Sequence, residues 1–365
     1  MFNDFKQSLL AKYKKHETML EVIFFIGGFI FDVMLVSEID DIFCLVQQGI
    51  YLLIIAVILH YEVLFRLHKW RPAPGFSIKF WNYRNLLLHF LLGTLLNIYS
   101  LFYIKSASLL SSIVFLLLMI AIIIGNELPL IKKAKVSAKV GLYGICLFSY
   151  VSLMYPLLLG FVGLIPFTLA LVTTIFFFYI QGRALRKNLP DGETTFQVIV
   201  FPAASVIILF SVFYVLGWIP PVPLSLKFQG IYHMVEKREG KYFLSKQDTA
   251  WDFLSWGDRH FKARPGDKLY YYIQIYSPAR FSDQVFVRWL FKDPNRGWQK
   301  TDRIPLQITG GRHEGFRALA IKSNYQPGEW RAQVETAMGH EIGRMSFDIT
   351  SDDSLDVRNF EIIEK

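Results

Sequence analysis

Cysteine is almost missing from this chain of 365 residues: Cys44 and Cys146 are the two it has, and both fall inside apolar runs. Residues 227–365 contain none, so that part needs no disulfide in any compartment, and thiolate-metal or thiol-redox chemistry has no ligand set. The phosphate-cradling Gly-x-x-x-x-Gly-Lys loop, the Gly-x-Ser-x-Gly elbow and the dinucleotide fingerprint are also absent. His-Glu occurs twice, at His313-Glu314 and His340-Glu341, but the residue three beyond each glutamate is an arginine, Arg317 and Arg344. Zinc-hydrolase geometry needs a second histidine one helical turn away. No catalytic residue, cofactor or metal ligand is nominated. Charge is scarce as well, at 19% of residues, and the net +9 is unevenly spread. Residues 227–365 hold 22 Lys/Arg against 19 Asp/Glu, the balance of an ordinary soluble domain. Residues 1–226 hold 17 against 11, gathered into short patches between apolar runs, which is a membrane pattern and not a nucleic-acid one.

Apolar residues dominate what is present, at 53%. Seven runs are long enough to cross a hydrocarbon core about 30 Å thick, which takes roughly 20 helical residues. They lie near 18–36, 42–65, 85–104, 108–126, 138–160, 163–181 and 196–218. The second is interrupted late by His60 and Glu62. The first is long, contains Asp32 and lacks a small-residue cleavage site, so it reads as an uncleaved signal-anchor. Positions 1–17, 66–84, 126–139 and 182–195 together hold 16 basic residues, and the intervening loops hold one, Lys105. By the positive-inside rule the N-terminus is cytoplasmic, and an odd number of spans sends the C-terminal part outside. No inverted repeat or matched pair of broken helices of the transporter kind stands out.

Gly217-Trp218-Ile219-Pro220-Pro221-Val222-Pro223 ends the apolar half. Trp218 suits the water–lipid boundary, and three prolines in four positions stop a helix and extend the chain. The segment 219–226 reads as a stiff stalk carrying a domain over 227–350. A hairpin is expected over 230–244, turning at Glu236–Gly240, and a short capped helix over 248–256. From Lys268 onward short alternating strands follow one another with turn signals between them, which predicts an all-β antiparallel sandwich, Ig-like in type. The acidic stretch 351–365 reads as a frayed or loosely docked tail.

Several stretches carry a family resemblance. Gly297-Trp298 through Ile304-Pro305, the Gly310-Gly311-Arg312 turn, and Pro327-Gly328-Glu329-Trp330-Arg331-Ala332 through Thr336 resemble the C-terminal domain of uncharacterised bacterial membrane proteins with a domain of unknown function, number 2914. Phe31-Asp32, Tyr103-Ile104-Lys105-Ser106-Ala107-Ser108 and Gly125-Asn126-Glu127 are similar to the membrane half of that family. The resemblance implies a bacterial inner membrane and a periplasmic or extracellular β domain; it implies no activity.

Two candidate sites follow from the residues. Asp32 and Lys105 both sit near outer span ends and form a candidate intramembrane charge pair, read either as a rim lock or as a gate. Trp289, Trp298, Trp330 and Arg303, with Arg288 and Arg331 nearby, could present rings and forked donors to a polymer such as a glycan. Strand alternation sets Trp289 opposite in face to Arg288, and Trp330 opposite to Arg331, so core packing competes with display. The partners implied are membrane lipids and an envelope polymer or periplasmic protein. Two readings of function stand: an anchored binding module, or a transporter or channel with the β domain as an outer lid.

Overall fold

A computed structural model describes residues 41–127, 135–187, 195–247, 257–310, 315–354 and 356–365. The span expected at 18–36, Asp32, the helix expected at 248–256, and His313-Glu314 lie outside the described residues.

The N-terminal part is helical. In chain order come α1 (Ile42–Arg66), α2 (Phe76–Asn82), α3 (Arg84–Ser106), α4 (Leu109–Glu127), α5 (Val136–Leu159) and α6 (Leu164–Arg186). A π-helical turn, Phe196–Val200, then runs into α7 (Phe201–Val215). Five helical segments among the described residues are long and apolar enough to cross a membrane, against the seven spans expected. They are α1, α3, α5, α6 and the run Phe196–Val215; in α4 the apolar stretch Leu110–Asn126 is shorter.

The chain divides into two compact units. The first takes the described parts of Met1–Phe102, Val114–Ser152 and Leu169–Tyr214. Aromatic rings bind its helices together: Phe148 of α5 lies 4.2 Å from Phe210 of α7, and Phe115 of α4 lies 6.0 Å from that same ring. Glu62 is buried inside α1, where an isolated carboxylate would be costly. It accepts hydrogen bonds from Arg66 Nε at 2.9 Å and from Arg84 Nε. The Arg84 guanidinium lies over the Phe65 and Trp81 rings, and the buried Lys139 donates to Asn85 Oδ1 at 2.8 Å.

The second unit holds Val215–Lys365 together with two helix connections, Tyr103–Ile113 and Leu153–Thr168. Its strands form three sheets: β1 (Ser225–Tyr232), β5 (Leu269–Tyr276) and β8 (Phe316–Lys322) in the order β1-β5-β8; β4 (His260–Ala263), β6 (Ser282–Asp293), β7 (Gly297–Thr309), β9 (Gly328–Thr336) and β10 (Glu341–Ser351) in the order β4-β10-β9-β6-β7; and β2 (Met234–Arg238), β3 (Lys241–Gln247) and β11 (Phe360–Glu364) in the order β11-β3-β2. All pairings are antiparallel except β4 with β10. The three-stranded β1-β5-β8 sheet and the five-stranded sheet share one core. It includes Tyr271 and Ile273 from the first, and Val287, Trp289, Ala332 and Phe347 from the second. Alternate residues supply it, as a sandwich requires. A smaller cluster of Phe228, Tyr232, Leu244 and Tyr272 fills the space under the β2-β3-β11 sheet.

Three expectations change here. The hairpin is β2 with β3, whereas Gly230–Tyr232 belongs to β1 and pairs with β5. The break falls at His233, whose ring stacks on Phe261 at 3.9 Å with Asp258 and Asp267 beside it. Burial there, reinforced by Arg358, pushes the His233 pKa down to about 4. The tail is not frayed: Phe360–Glu364 adds a strand to β3, and Lys241 and Lys246 pair with Glu364 and Glu361. Nor do the prolines form a free stalk, because 219–224 is buried throughout.

Both helix connections are tied to strand ends within the unit. Ser108 Oγ donates to Glu341 Oε1 at the start of β10. Ser282 N donates to Gly160 O at 2.8 Å, and Val162 N donates to Asp283 Oδ2 at 3.0 Å, both at the start of β6. Burial raises the Asp283 pKa in spite of these bonds. Gly160 is required at its place: its φ is +81°, and a Cβ would come 2.7 Å from the Arg280 carbonyl oxygen.

Candidate functional site

The face of the five-stranded sheet turned away from the core carries a cluster of three cations, Arg288, Lys300 and Arg303. Register decides which side chains meet there. On β6 and β9, Arg288 faces Gln333 and Leu290 faces Arg331; on β7, Arg303 faces Arg288 and Lys300 faces Leu290. Lys300 and Arg303 are three apart and would point to opposite sides of an unbroken strand. A bulge removes that conflict. Between the pairs Arg288–Arg303 and Leu290–Lys300, Thr301 and Asp302 stand opposite the single residue Trp289. The Thr301 hydroxyl donates to the Trp289 carbonyl at 3.1 Å and fixes the bulge. Its effect is to bring Lys300 and Arg303 to one side. Pro305, which cannot donate to a ladder, is accommodated because β7 is the sheet edge.

At the centre sits Glu335, only 3% exposed. Arg288 grips it with two bonds, Nε to Oε2 at 2.9 Å and Nη2 to Oε1 at 2.7 Å, and Arg303 Nε reaches Oε1 at 2.9 Å. These bonds hold the Arg288 pKa above its ordinary value. Arg303 also lies 3.6 Å above the Phe286 ring and donates to the Ala337 carbonyl at 3.0 Å. One carboxylate therefore orients two guanidinium groups, and their remaining N–H groups border a depression of about 420 Å³. Lys300, Gln333 and Met338 complete its rim. Three cations against one anion leave the depression positive, with forked donors pre-set for carboxylate, sulfate or phosphate oxygens.

The aromatic candidates separate. Trp289 is 0% exposed and Trp330 3% exposed, so both are core residues and neither can display a ring; the surface reading is corrected for these two. Trp289 packs edge-on to Tyr271 and Phe347, and Trp330 lies 5.1 Å from Phe291. Trp298 faces outward beside this site, with the Arg331 guanidinium 4.0 Å over its ring. The aromatic-plus-arginine pair thus forms between Trp298 and Arg331 across strands, not between neighbours in sequence. Arg303 holds its place at the site. Lys300, Gln333 and Glu335 were not singled out from the sequence, since nothing in a linear pattern marks a bulge that rephases β7. Lys105 lies exposed in the last turn of α3, while Asp32 is outside the described residues. Among the described residues no group of three or more His, Cys, Asp or Glu side chains is arranged to hold a metal. Glu341, of the His340-Glu341 pair, is engaged by Arg344 and Ser108.

The strands that carry the cluster, β6, β7 and β9, together with most of β10, fall in one stretch of sequence. Residues 282–349 match the family described as protein of unknown function, DUF2914. The basic depression lies wholly within the DUF2914 segment. No curated protein matches the chain. Among solved structures, it is similar to an immunoglobulin-like protein from Pseudomonas aeruginosa at 14% identity and TM-score 0.22, over 35% of this chain and 98% of that one. A β-glucosidase from Listeria innocua matches at 10% identity and TM-score 0.18, over 31% of this chain and 17% of the enzyme. The alkylpurine DNA glycosylase AlkC of Pseudomonas fluorescens matches at 7% identity and TM-score 0.22, over 73% of this chain and 77% of that one. At these scores the likenesses carry no argument about what the DUF2914 segment binds.

Proposed function

We propose that this is a multi-span protein of a bacterial inner membrane that holds its β domain on the outer side as a binding module for an anionic envelope glycan. Five apolar helices long enough to span, with a sixth shorter one, support the membrane part. The concentration of basic residues in alternate loops supports seven spans with the N-terminus inside and the DUF2914 segment in the periplasm or outside the cell. The observation that carries the binding reading is the Arg288–Glu335–Arg303 fork with Lys300 at its rim. A structural ion triplet would need no third cation, and Lys300 is exposed. The Trp298–Arg331 pair adds a flat surface suited to a sugar ring next to the charged groups.

The test uses the full-length protein in detergent, titrated with an acidic glycan carrying carboxylate or phosphate and with a neutral glycan of the same length. Acidic glycan should bind in preference, and Lys300→Gln should weaken it about tenfold, the loss of one charge-assisted hydrogen bond. Equal affinity for the neutral glycan, or an unchanged affinity in Lys300→Gln, overturns the reading.

A transport role rests on a different observation. Gln48 is buried in α1 with neither amide atom hydrogen-bonded among the described residues, and Ser112 Oγ and Asn126 Nδ2 in α4 are in the same state. Such groups are costly in an apolar bundle unless water or solute visits them. Gln48→Leu should then abolish solute flux in proteoliposomes; a better-folded protein with unaltered flux rejects transport.

A further inference from the structure

Arg288, Arg303 and Lys300 bring three positive charges to the depression on the β6–β9 face, and Glu335 is the one carboxylate among its described lining residues. Glu335 offsets one guanidinium, so two positive charges remain. The acids next along these strands are spent elsewhere: Asp302 on Lys322, and Glu329 on Lys292 at 2.7 Å. Arg331, stacked on Trp298, adds to the excess. The donors left over are as specific as the charge. Arg288 spends Nε and Nη2 on Glu335, and its Nη1 makes no bond among the described residues. Arg303 spends Nε on Glu335 and Nη2 on the Thr336 and Ala337 carbonyls, which leaves its Nη1 in the same state. The Lys300 side chain stands exposed at the rim. The wall made by the β9–β10 turn is set in advance as well. There Gly339 N donates to the Thr336 carbonyl at 2.9 Å, and His340 N donates to Thr336 Oγ1 at 3.2 Å.

Two unbalanced charges and donor groups on three separate side chains describe the anion that matches them. A carboxylate, a sulfate ester and a phosphodiester each carry a single negative charge. A phosphate monoester carries about −1.5 to −2 at neutral pH and presents three terminal oxygens. Register brings the donors together: Arg288 stands opposite Arg303, and Lys300 stands opposite Leu290, two residues along the same face. Trp298 lies two residues from Lys300 on the same side of β7, about 7 Å away by strand geometry. That is the reach of a phosphate joined to a sugar through an ester oxygen. We propose that the depression seats a phosphate monoester carried on a sugar, the phosphate between Arg288, Arg303 and Lys300 and the sugar against Trp298. This assignment rests on the acidic-glycan reading and names the acidic group.

The experiment titrates the full-length protein in uncharged detergent with one oligosaccharide in four forms: unsubstituted, or bearing a phosphate ester, a sulfate ester or a carboxylate at the same sugar carbon. The sulfate keeps three terminal oxygens and removes one charge, so it isolates the charge match. Wild type should bind the phosphate form about tenfold more tightly than the sulfate form, the worth of one further charge-assisted interaction. Lys300→Gln should lower that preference, and Lys300→Arg should keep it. The ratio of two affinities on one protein is not moved by a change in stability alone. Equal affinity for phosphate and sulfate, or a preference unchanged in Lys300→Gln, overturns the monoester while the acidic-glycan reading stands. Acidic forms that bind no better than the unsubstituted sugar overturn that reading and the monoester together. Inorganic phosphate that displaces the phosphate form at equal concentration assigns the depression to the free ion and overturns the sugar-borne source.

Discussion

The helical unit and the β unit each bury one glutamate between two arginines, and they do so to different ends. In α1, Glu62 is held by Arg66, whose side chain is 48% exposed, and by Arg84, which is 15% exposed and lies over the Phe65 and Trp81 rings. The nearby Lys139 is buried and answered by the amide oxygen of Asn85. On β9, Glu335 is gripped by Arg288 and Arg303, but the guanidinium edges border open space and the third cation, Lys300, is exposed. In the first cluster Arg84 and Lys139 are spent on internal partners and Arg66 alone reaches solvent, so it serves as a lock. The second spends one carboxylate to orient donors that still face solvent. An ion triplet is a functional candidate when a further cation stands exposed beside it, as Lys300 does and the buried Lys139 does not, and burial of the carboxylate alone does not tell the two apart.

Removing each glutamate is the sharpest way to break the comparison. Glu62→Gln leaves the largely buried Arg84 and Lys139 without an anion, so it should cost about 3–5 kcal/mol and reduce the yield of folded protein; detergent-solubilised melting curves check this. Glu335→Gln should cost less, about 1–3 kcal/mol, because Arg288 and Arg303 can turn toward water, yet it should disorder the fork and weaken acidic-glycan binding. A loss equal to that of Glu62→Gln would place both clusters in the same structural class. Trp289→Ala tests the core beneath the second cluster: the side chain is fully enclosed, and about 3–5 kcal/mol should be lost from the melting of the β unit.

Acid separates the units further. The folded β unit keeps His233 neutral down to about pH 4, held there by burial and Arg358, whereas the unfolded chain takes up that proton near 6.5. The stability this contributes is complete above pH 6.5 and is lost as the pH falls from 6.5 towards 4, with a slope of at most about 1.4 kcal/mol per pH unit. Denaturant titrations across that window should show the slope, and His233→Gln should flatten it. The smallest effect is expected for Trp298→Ala, about 0.5–1 kcal/mol or less from the lost stacking with Arg331, seen as weaker glycan binding with little change in melting.

Much of the architecture is legible in the sequence because it depends on composition and period. The apolar runs from residue 42 onward fall on helices, five of them long and apolar enough to span, and the alternation in Gln284–Phe291 and Glu329–Thr336 set Trp289 and Trp330 on the opposite face from Arg288 and Arg331. What escaped depends on pairing between distant segments. Gly230–Tyr232 looks like the first arm of a local hairpin, but its partner is β5, some forty residues on in the chain. Residues 360–364 look like an acidic tail because their carboxylates are visible in the sequence while Lys241 and Lys246, which answer them, are more than a hundred positions away. The prolines of 220–223 look like a spacer because stiffness is a local property and burial is not. Arg303 was legible as a forked donor; Glu335, which gives it direction, was not.

The bulge at Thr301–Asp302 has a consequence for how this surface can vary. Substitution changes one side chain at a time, but loss of one residue there would restore simple alternation and exchange the sides of everything in β7 up to that point. Lys300 and Trp298 would turn inward and Gln299 outward, with no other letter altered. A gap of one position between Gly297 and Arg303 in a relative is therefore a larger change to this face than several replaced arginines, and aligned residues on its two sides would share a column without sharing a location.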